Sequence, residues 1–270
     1  MIDSHCHLAG DEFAADLDAV VSRARDAGVT GALCVLAAGD DDESRRAATV
    51  RRAWPDIRFA AGIHPHQAGE FAGDLEDATG TVRRAVQQHG ACAIGEIGLD
   101  YHYDFSPRAL QQDVFRAQVQ LALELGLPVI IHTREATDDT FRILREAGGG
   151  QVRGVFHCFT GDETMARAVF DLDFYLSFAG IVTFPRSEGI RTAARIAPAG
   201  RFLTETDAPY LAPVPYRGRR NEPAYVAEVV AKVAEIRGAP VADVAGQVTR
   251  NFETLFGLPP EGGSYSNVTA

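Results

Sequence analysis

The sequence predicts a (β/α)8 barrel of the TIM type. Three observations support this: short β-like runs alternate with longer helical patterns through eight units, no Gly-rich phosphate loop follows the first run, and five of the runs deliver a His, Glu or Asp at their C-terminal ends. An open doubly wound sheet would be expected to carry that phosphate loop, so the closed barrel is preferred.

The β-like runs are Ile2 to His7, Gly31 to Leu36, Arg58 to His64, Cys92 to Ile97, Pro128 to His132, Gly154 to His157, Phe174 to Phe178 and Arg201 to Thr206. Helical patterns fill the gaps. Glu12 to Ala27 carries Phe13, Leu17, Val20, Val21 and Ala24 at helical spacing and stops at Gly28. Pro107 to Leu125 follows Ser106 and closes at Gly126. Pro223 to Ile236 and Val241 to Phe256 are the C-terminal helices. The barrel is expected to take residues 1–258 as one domain, and the Gly-, Ser- and Pro-rich stretch 259–270 to fray.

Bulk properties narrow the class. Of 270 residues, 46% are hydrophobic, enough for a large core, and 270 is an ordinary length for one α/β barrel. No apolar run reaches the roughly 18 residues of a membrane span. The chain enters an apolar run at once with no basic segment before it, so a cytoplasmic location is expected. Cys6, Cys34, Cys92 and Cys158 form no CxxC pair, which suits buried free thiols. Strand alternation should turn Cys6 and Cys158 away from their neighbouring histidines, into the helix layer. A net charge of −11 argues against a passive nucleic-acid coat, although bound cations could supply positive charge where a phosphate sits.

His5 and His7 are two apart at the end of the first run, so both imidazoles aim to one side and can reach one metal. Glu96 comes near the end of the fourth run, His132 ends the fifth, His157 ends the sixth, and Asp207 follows the eighth. In a barrel those ends meet on the face that carries active sites. A buried carboxylate there is costly unless paired or bound to a metal. The expected ligand set is therefore His5, His7, Glu96, His132, His157 and Asp207. Neutral imidazoles and carboxylates suit Zn, Mn, Fe or Ni, while Mg and Ca prefer mainly oxygen ligands. Two or three divalent ions are expected, Mg, Mn or Zn. Glu96, opposite His5 and His7, can present two oxygens and bridge two ions. Two nearby cations activate a shared water and neutralise phosphoryl charge, with Asp207 as ligand and proton acceptor. A carbamylated lysine cannot be the bridge, because Lys232, the only lysine, lies in a late helix.

At this point the chain resembles the TatD family of metal-dependent deoxyribonucleases, within the amidohydrolase-like barrels. The matching stretches are Asp3-Ser4-His5-Cys6-His7-Leu8, Gly62-Ile63-His64-Pro65-His66, Gly95-Glu96-Ile97-Gly98-Leu99-Asp100-Tyr101, Pro128-Val129-Ile130-Ile131-His132-Thr133-Arg134, His157-Cys158-Phe159-Thr160-Gly161, Glu205-Thr206-Asp207-Ala208-Pro209-Tyr210-Leu211, Asn221-Glu222-Pro223 and Asn251-Phe252. They span nearly the whole chain in order. The resemblance implies a (β/α)8 barrel, two or more divalent ions and phosphodiester hydrolysis in DNA, often from the 3′ end. It implies the same six ligands. His102 departs from the usual pattern, which leaves the metals untouched and bears on nearby substrate contacts.

Other residues are read more locally. His64 ends the third run and is a candidate phosphate contact or proton donor, and His66 lies in the loop beyond it. Glu205 shares a face with Asp207 and could hold a further ion, orient the water or support a ligand. Arg134 shares a face with His132 and could clamp a phosphate. Arg217, Arg219 and Arg220 form a basic loop suited to the DNA backbone. His89 receives no role. DNA is the expected substrate, with no membrane and no organic cofactor, and a monomer is compatible with the sequence. The competing functions are hydrolysis of a small amide, lactone or phosphate ester with the same metals, and a non-catalytic metal-binding scaffold.

Overall fold

A computed structural model of the protein describes residues 1–257. Leu258 and the expected tail 259–270 lie outside the described residues.

Eight strands follow one another in chain order, β1 (Ile2–Cys6), β2 (Gly31–Ala37), β3 (Arg58–Gly62), β4 (Ala93–Asp100), β5 (Val129–Arg134), β6 (Gly154–Phe156), β7 (Tyr175–Phe178) and β8 (Phe202–Thr204). Each pairs in parallel with the next, in the order β1 to β8. Between and after them lie helices α1 (Leu17–Asp26), α2 (Asp41–Ala53), α3 (Leu75–His89), α4 (Arg108–Leu125), α5 (Thr137–Gly148), α6 (Glu163–Asp171), α7 (Glu188–Ile196), α8 (Val226–Arg237) and α9 (Val241–Phe256). This is the (β/α)8 barrel expected. None of the described helices is long and apolar enough to cross a membrane.

The sheet closes at β1 and β8 largely through residues beyond the ladder. His7 N–H donates to Ala208 O at 2.8 Å and Asp207 N–H to His5 O at 3.0 Å. Deeper in, the fully buried Asp3 carboxylate accepts from Thr206 N–H at 2.8 Å and Thr206 Oγ1 at 2.6 Å. Burial, partly opposed by these hydrogen bonds, pushes Asp3 up to about 8.

All eight strands fall where the β-like runs are, but their ends differ. β4 and β5 run further than expected, because their ladder continues from Ile97↔Ile131 to Asp100↔Arg134. β2 gains Ala37 and β7 ends as expected, whereas β1, β3, β6 and β8 stop early, so His7, His64, His157 and Asp207 stand just past their strands. The helix expected from Glu12 divides into a 3-10 turn at Asp11–Phe13 and α1. Asp16, which precedes α1, gives its carboxylate to Arg220 instead of capping the helix. Ser106 likewise caps nothing. Its hydroxyl donates to His66 O and accepts from Gly69 N–H, joining two loops at the mouth.

The wall is apolar. Phe59, Phe115, Phe156, Phe174, Phe178 and Phe202 are fully buried between strands and helices, each worth roughly 1.5–3 kcal/mol relative to exposure. The buried His5, Glu96, His157, Glu205 and Asp207 lie at the C-terminal mouth, where the fold has placed costly groups.

Candidate metal centre

Glu96 stands at the middle of the mouth, buried, with its two oxygens facing different sides. On one side Oε2 is 3.5 Å from His5 Nε2 and 3.9 Å from His7 Nε2. Asp207 Oδ1 lies 3.7 Å from His5 Nε2 and 3.5 Å from His7 Nε2. On the other side Oε1 is 2.6 Å from His132 Nδ1, 2.7 Å from His157 Nε2 and 3.5 Å from His64 Nε2. All six residues expected as ligands are thus brought together, and His64 joins the second side.

Local backbone explains the convergence. The even spacing of His5 and His7 survives past the end of β1, and their Nε2 atoms are 3.2 Å apart. Gly98 lies between Glu96 and Asp100 at φ +141, and a Cβ there would stand 1.9 Å from His132 O. Only glycine lets β4 press that closely on β5. Asp207 is held at φ 58, an unfavourable region for a side chain. Its N–H bond to His5 O and the Tyr210 N–H bond to its own carbonyl fix it there, with its carboxylate toward the histidines.

The electrostatics call for cations. Burial raises Glu96, but His157, His64 and His132 outweigh it and hold the carboxyl well below its ordinary value. Burial lowers His7, while the hydrogen bond and charge of Asp207 and the charge of Glu96 lift it to about 9. His157, more deeply buried, is also raised by Glu96 and Glu205. His64 goes the other way, because burial pushes it down to about 4. Among the described residues, Glu96 forms ion pairs only with imidazoles. Imidazole nitrogens and carboxylate oxygens whose lone pairs converge this closely are a divalent-cation donor set, and a cation would replace the protons that now offset the carboxylates.

Two further carboxylates orient the ligands. His132 Nε2 lies 3.1 Å from the buried Asp100 Oδ2, which leaves Nδ1 for the centre. Asp100 also receives His66 Nε2 at 3.0 Å and the backbone N–H groups of His102 and Tyr103. Glu205, fully buried, accepts from Cys158 N–H at 2.6 Å and lies 3.3 Å from His157 Nδ1, which leaves Nε2 for the centre. The His157–Glu205 approach is close but poorly aligned, and Glu205 Oε2 has no hydrogen-bond partner among the described residues.

The other expected contacts are placed unevenly. His66 faces Asp100. Arg134 lies over the Tyr103 ring, 4.7 Å from its centroid. Arg217 covers Phe184 at 4.2 Å, and Arg219 is exposed. Arg220 is paired with Asp16, donates to Glu12 O and covers Phe13, so the basic loop is only partly free. His102 bonds Glu135 at 2.7 Å and His89 bonds Ser44 at 2.9 Å, both away from the ligands. Cys6 is buried with its thiol toward Leu33 O, as alternation predicts. Cys158 departs from that rule. β6 has ended, its φ is 43, and Asp207, Glu205 and Glu96 add to burial in raising its thiol.

The profile of TatD related DNases matches residues 2–257. The chain belongs to this family. Among its relatives, a protein of Escherichia coli K12 named uncharacterized metal-dependent hydrolase YcfH is 41% identical over 259 residues, covering 95% of each chain. A protein of Pantoea ananatis named 3′-5′ ssDNA/RNA exonuclease TatD is 38% identical, covering 96% of this chain and all of its own. The solved structure of the TatD homologue YJJV from Escherichia coli K12 superposes with a TM-score of 0.85 at 29% identity, covering 96% of this chain and 98% of that one. The chain is a metal-dependent hydrolase of the TatD family, and its His and Glu clusters are suited to divalent ions.

Sequence reasoning gave no role to two residues of this TatD-family site, Asp3 and Asp100. A signal existed for both. Asp3 lies two residues before His5 and Asp100 four after Glu96, even spacings that turn a strand side chain to the same face.

Proposed function

We propose that this protein is a nuclease that hydrolyses phosphodiester bonds in DNA, trimming single strands from the 3′ end with two divalent ions. The observation that carries the reading is the divided environment of Glu96, with Oε2 toward His5 and His7 and Oε1 toward His132, His157 and His64. One carboxylate between two donor sets suits a pair of ions. His5, His7, Glu96 and Asp207 would hold one, and Glu96, His132, His157 and His64 the other. When bound, such ions lower the pKa of water and neutralise charge on a phosphoryl group.

The chain's own groups supply the rest. Asp207, held ionised despite its burial by His7, His157 and His5, accepts the proton of the attacking water at its carboxylate. His64 is kept neutral by burial, so it serves as a ligand rather than a proton donor. Asp100 fixes the ring of His132 and keeps its second nitrogen from turning inward, and the charge of Glu205 faces the second nitrogen of His157. Arg217 and Arg219 reach phosphates beyond the scissile one. The name of the Pantoea relative supports a single-stranded substrate.

The test is turnover of 3′-labelled single-stranded DNA by purified protein with Mg²⁺, Mn²⁺ or Zn²⁺, beside matched RNA, duplex DNA, a nitrophenyl phosphodiester and a lactone. Stepwise 3′ shortening of the single strand is expected. Turnover of the small ester or lactone with no cleavage of any oligonucleotide would overturn the nuclease reading.

A further inference from the structure

We propose that Tyr103 and Phe105, backed by Arg134, form a shelf on which unpaired bases of the substrate stack beside the metal centre. This rests on the nucleic-acid reading and names the group that recognises the bases.

The two rings are parallel within 4°, their centroids 5.5 Å apart. They are nonetheless 48% and 68% exposed. Their positions are fixed although both residues are exposed. Asp100 Oδ1 accepts Tyr103 N–H at 3.1 Å, and Ser106, next to Phe105, is tied to the His66 loop. The His66 ring meets Phe105 edge-on at 4.8 Å and 89°, and Tyr103 at 5.7 Å and 88°. His66 in turn contacts Asp100, which holds His132. The shelf is therefore coupled through two side chains to a residue of the centre.

Flat exposed rings with a guanidinium against them match a single-stranded nucleic acid. Every base has a π-face to lay on a ring, and the arginine can reach the phosphate between bases. A small apolar substrate would call for enclosure, and this surface is open. Stacking requires unpaired bases and is nearly blind to their identity, so single strands should be preferred with little sequence preference. Tyr210, 56% exposed with its ring 6.1 Å from His7, flanks the other side of the centre.

The experiment compares wild type, the double variant Tyr103→Ala/Phe105→Ala and the double variant Tyr103→Phe/Phe105→Tyr. The substrates are a single-stranded oligonucleotide, the same oligonucleotide with abasic residues beside the scissile bond, and a nitrophenyl phosphodiester. The alanine variant should lose about tenfold in kcat/KM on the intact oligonucleotide, mostly in KM, and nothing on the small diester. On the abasic oligonucleotide it should match wild type, and the ring-preserving variant should behave as wild type throughout. An unchanged alanine variant on an oligonucleotide that wild type cuts would overturn the shelf alone. So would an equal loss on the small diester, which would make the rings supports for His66. A wild-type enzyme that turns over only the small diester would overturn the nuclease reading and the shelf with it.

Discussion

The two sides of the centre are built differently. The β1/β8 side is fixed by the bonds that close the barrel. His5 is fully buried, and the Asp207–His5, His7–Ala208 and Asp3–Thr206 bonds that close the barrel also set the ligands. The β3–β6 side is fixed by side chains. His132 takes its ring orientation from Asp100, Glu205 stands 3.3 Å behind His157, and His132 remains partly exposed. Closing the fold completes the first side, whereas the second depends on carboxylates that stand behind its ligands. The first side should therefore tolerate surface change and respond to global stability, while the second should be adjustable one residue at a time.

Glu96 belongs to both sides, and its loss should have the largest effect. Glu96→Ala is expected to lower phosphodiester turnover by on the order of 10³-fold or more while leaving the far-ultraviolet circular dichroism unchanged. Glu96→Gln keeps the shape without the charge and should bind fewer equivalents of metal by calorimetry. Normal turnover in Glu96→Ala would remove it from the chemistry and erase the distinction between the sides.

Asp100 tests whether the second side depends on its supporting carboxylate. Asp100→Asn should weaken metal affinity or turnover by roughly 10–100-fold, the usual cost of losing such a partner. The loss should fall on one metal equivalent and spare the other in a titration followed by calorimetry. Equal weakening of both equivalents would show that the two sides are not separately held.

Asp3 tests the first side through stability. Its carboxyl is raised by burial from 3.8 to about 8 in the folded chain. A raised carboxyl favours folding while protonated. Its contribution is full below 3.8 and is lost as pH rises through about 8. Asp3→Asn should escape that loss, so its stability relative to wild type should rise across this window in urea denaturation of the metal-free protein. Parallel curves for the two proteins would mean that Asp3 does not titrate with folding.

The smallest effect belongs to the basic loop, outside both sides. Arg217→Ala/Arg219→Ala should weaken oligonucleotide binding a few-fold and flatten its salt dependence by roughly 0.7 log units per log salt for each phosphate that is no longer neutralised. Hydrolysis of a nitrophenyl diester should not change. Arg220→Ala should act mainly on stability, because Arg220 is already paired with Asp16. Equal losses on both substrates would tie the loop to the metal centre.

What was legible in the sequence is what strand periodicity and chain order carry. The eight runs, the barrel and the convergence of His5, His7, Glu96, His132, His157 and Asp207 follow from local patterns, because a parallel barrel brings the same end of every strand to one face. Even the overlooked Asp3 and Asp100 obey that periodicity. Tertiary structure alone decided the partnerships across strands. It decided which oxygen of Glu96 faces which histidines and which ring nitrogen Asp100 leaves free on His132. It also decided that Arg220 is spent on Asp16 and that Cys158 lies past the end of β6 at φ 43, outside the strand alternation. The physical reason is that alternation specifies the face a side chain occupies. Its partner is set by where neighbouring ladders stop, by how closely Gly98 lets two strands approach, and by which buried charge has no other neighbour.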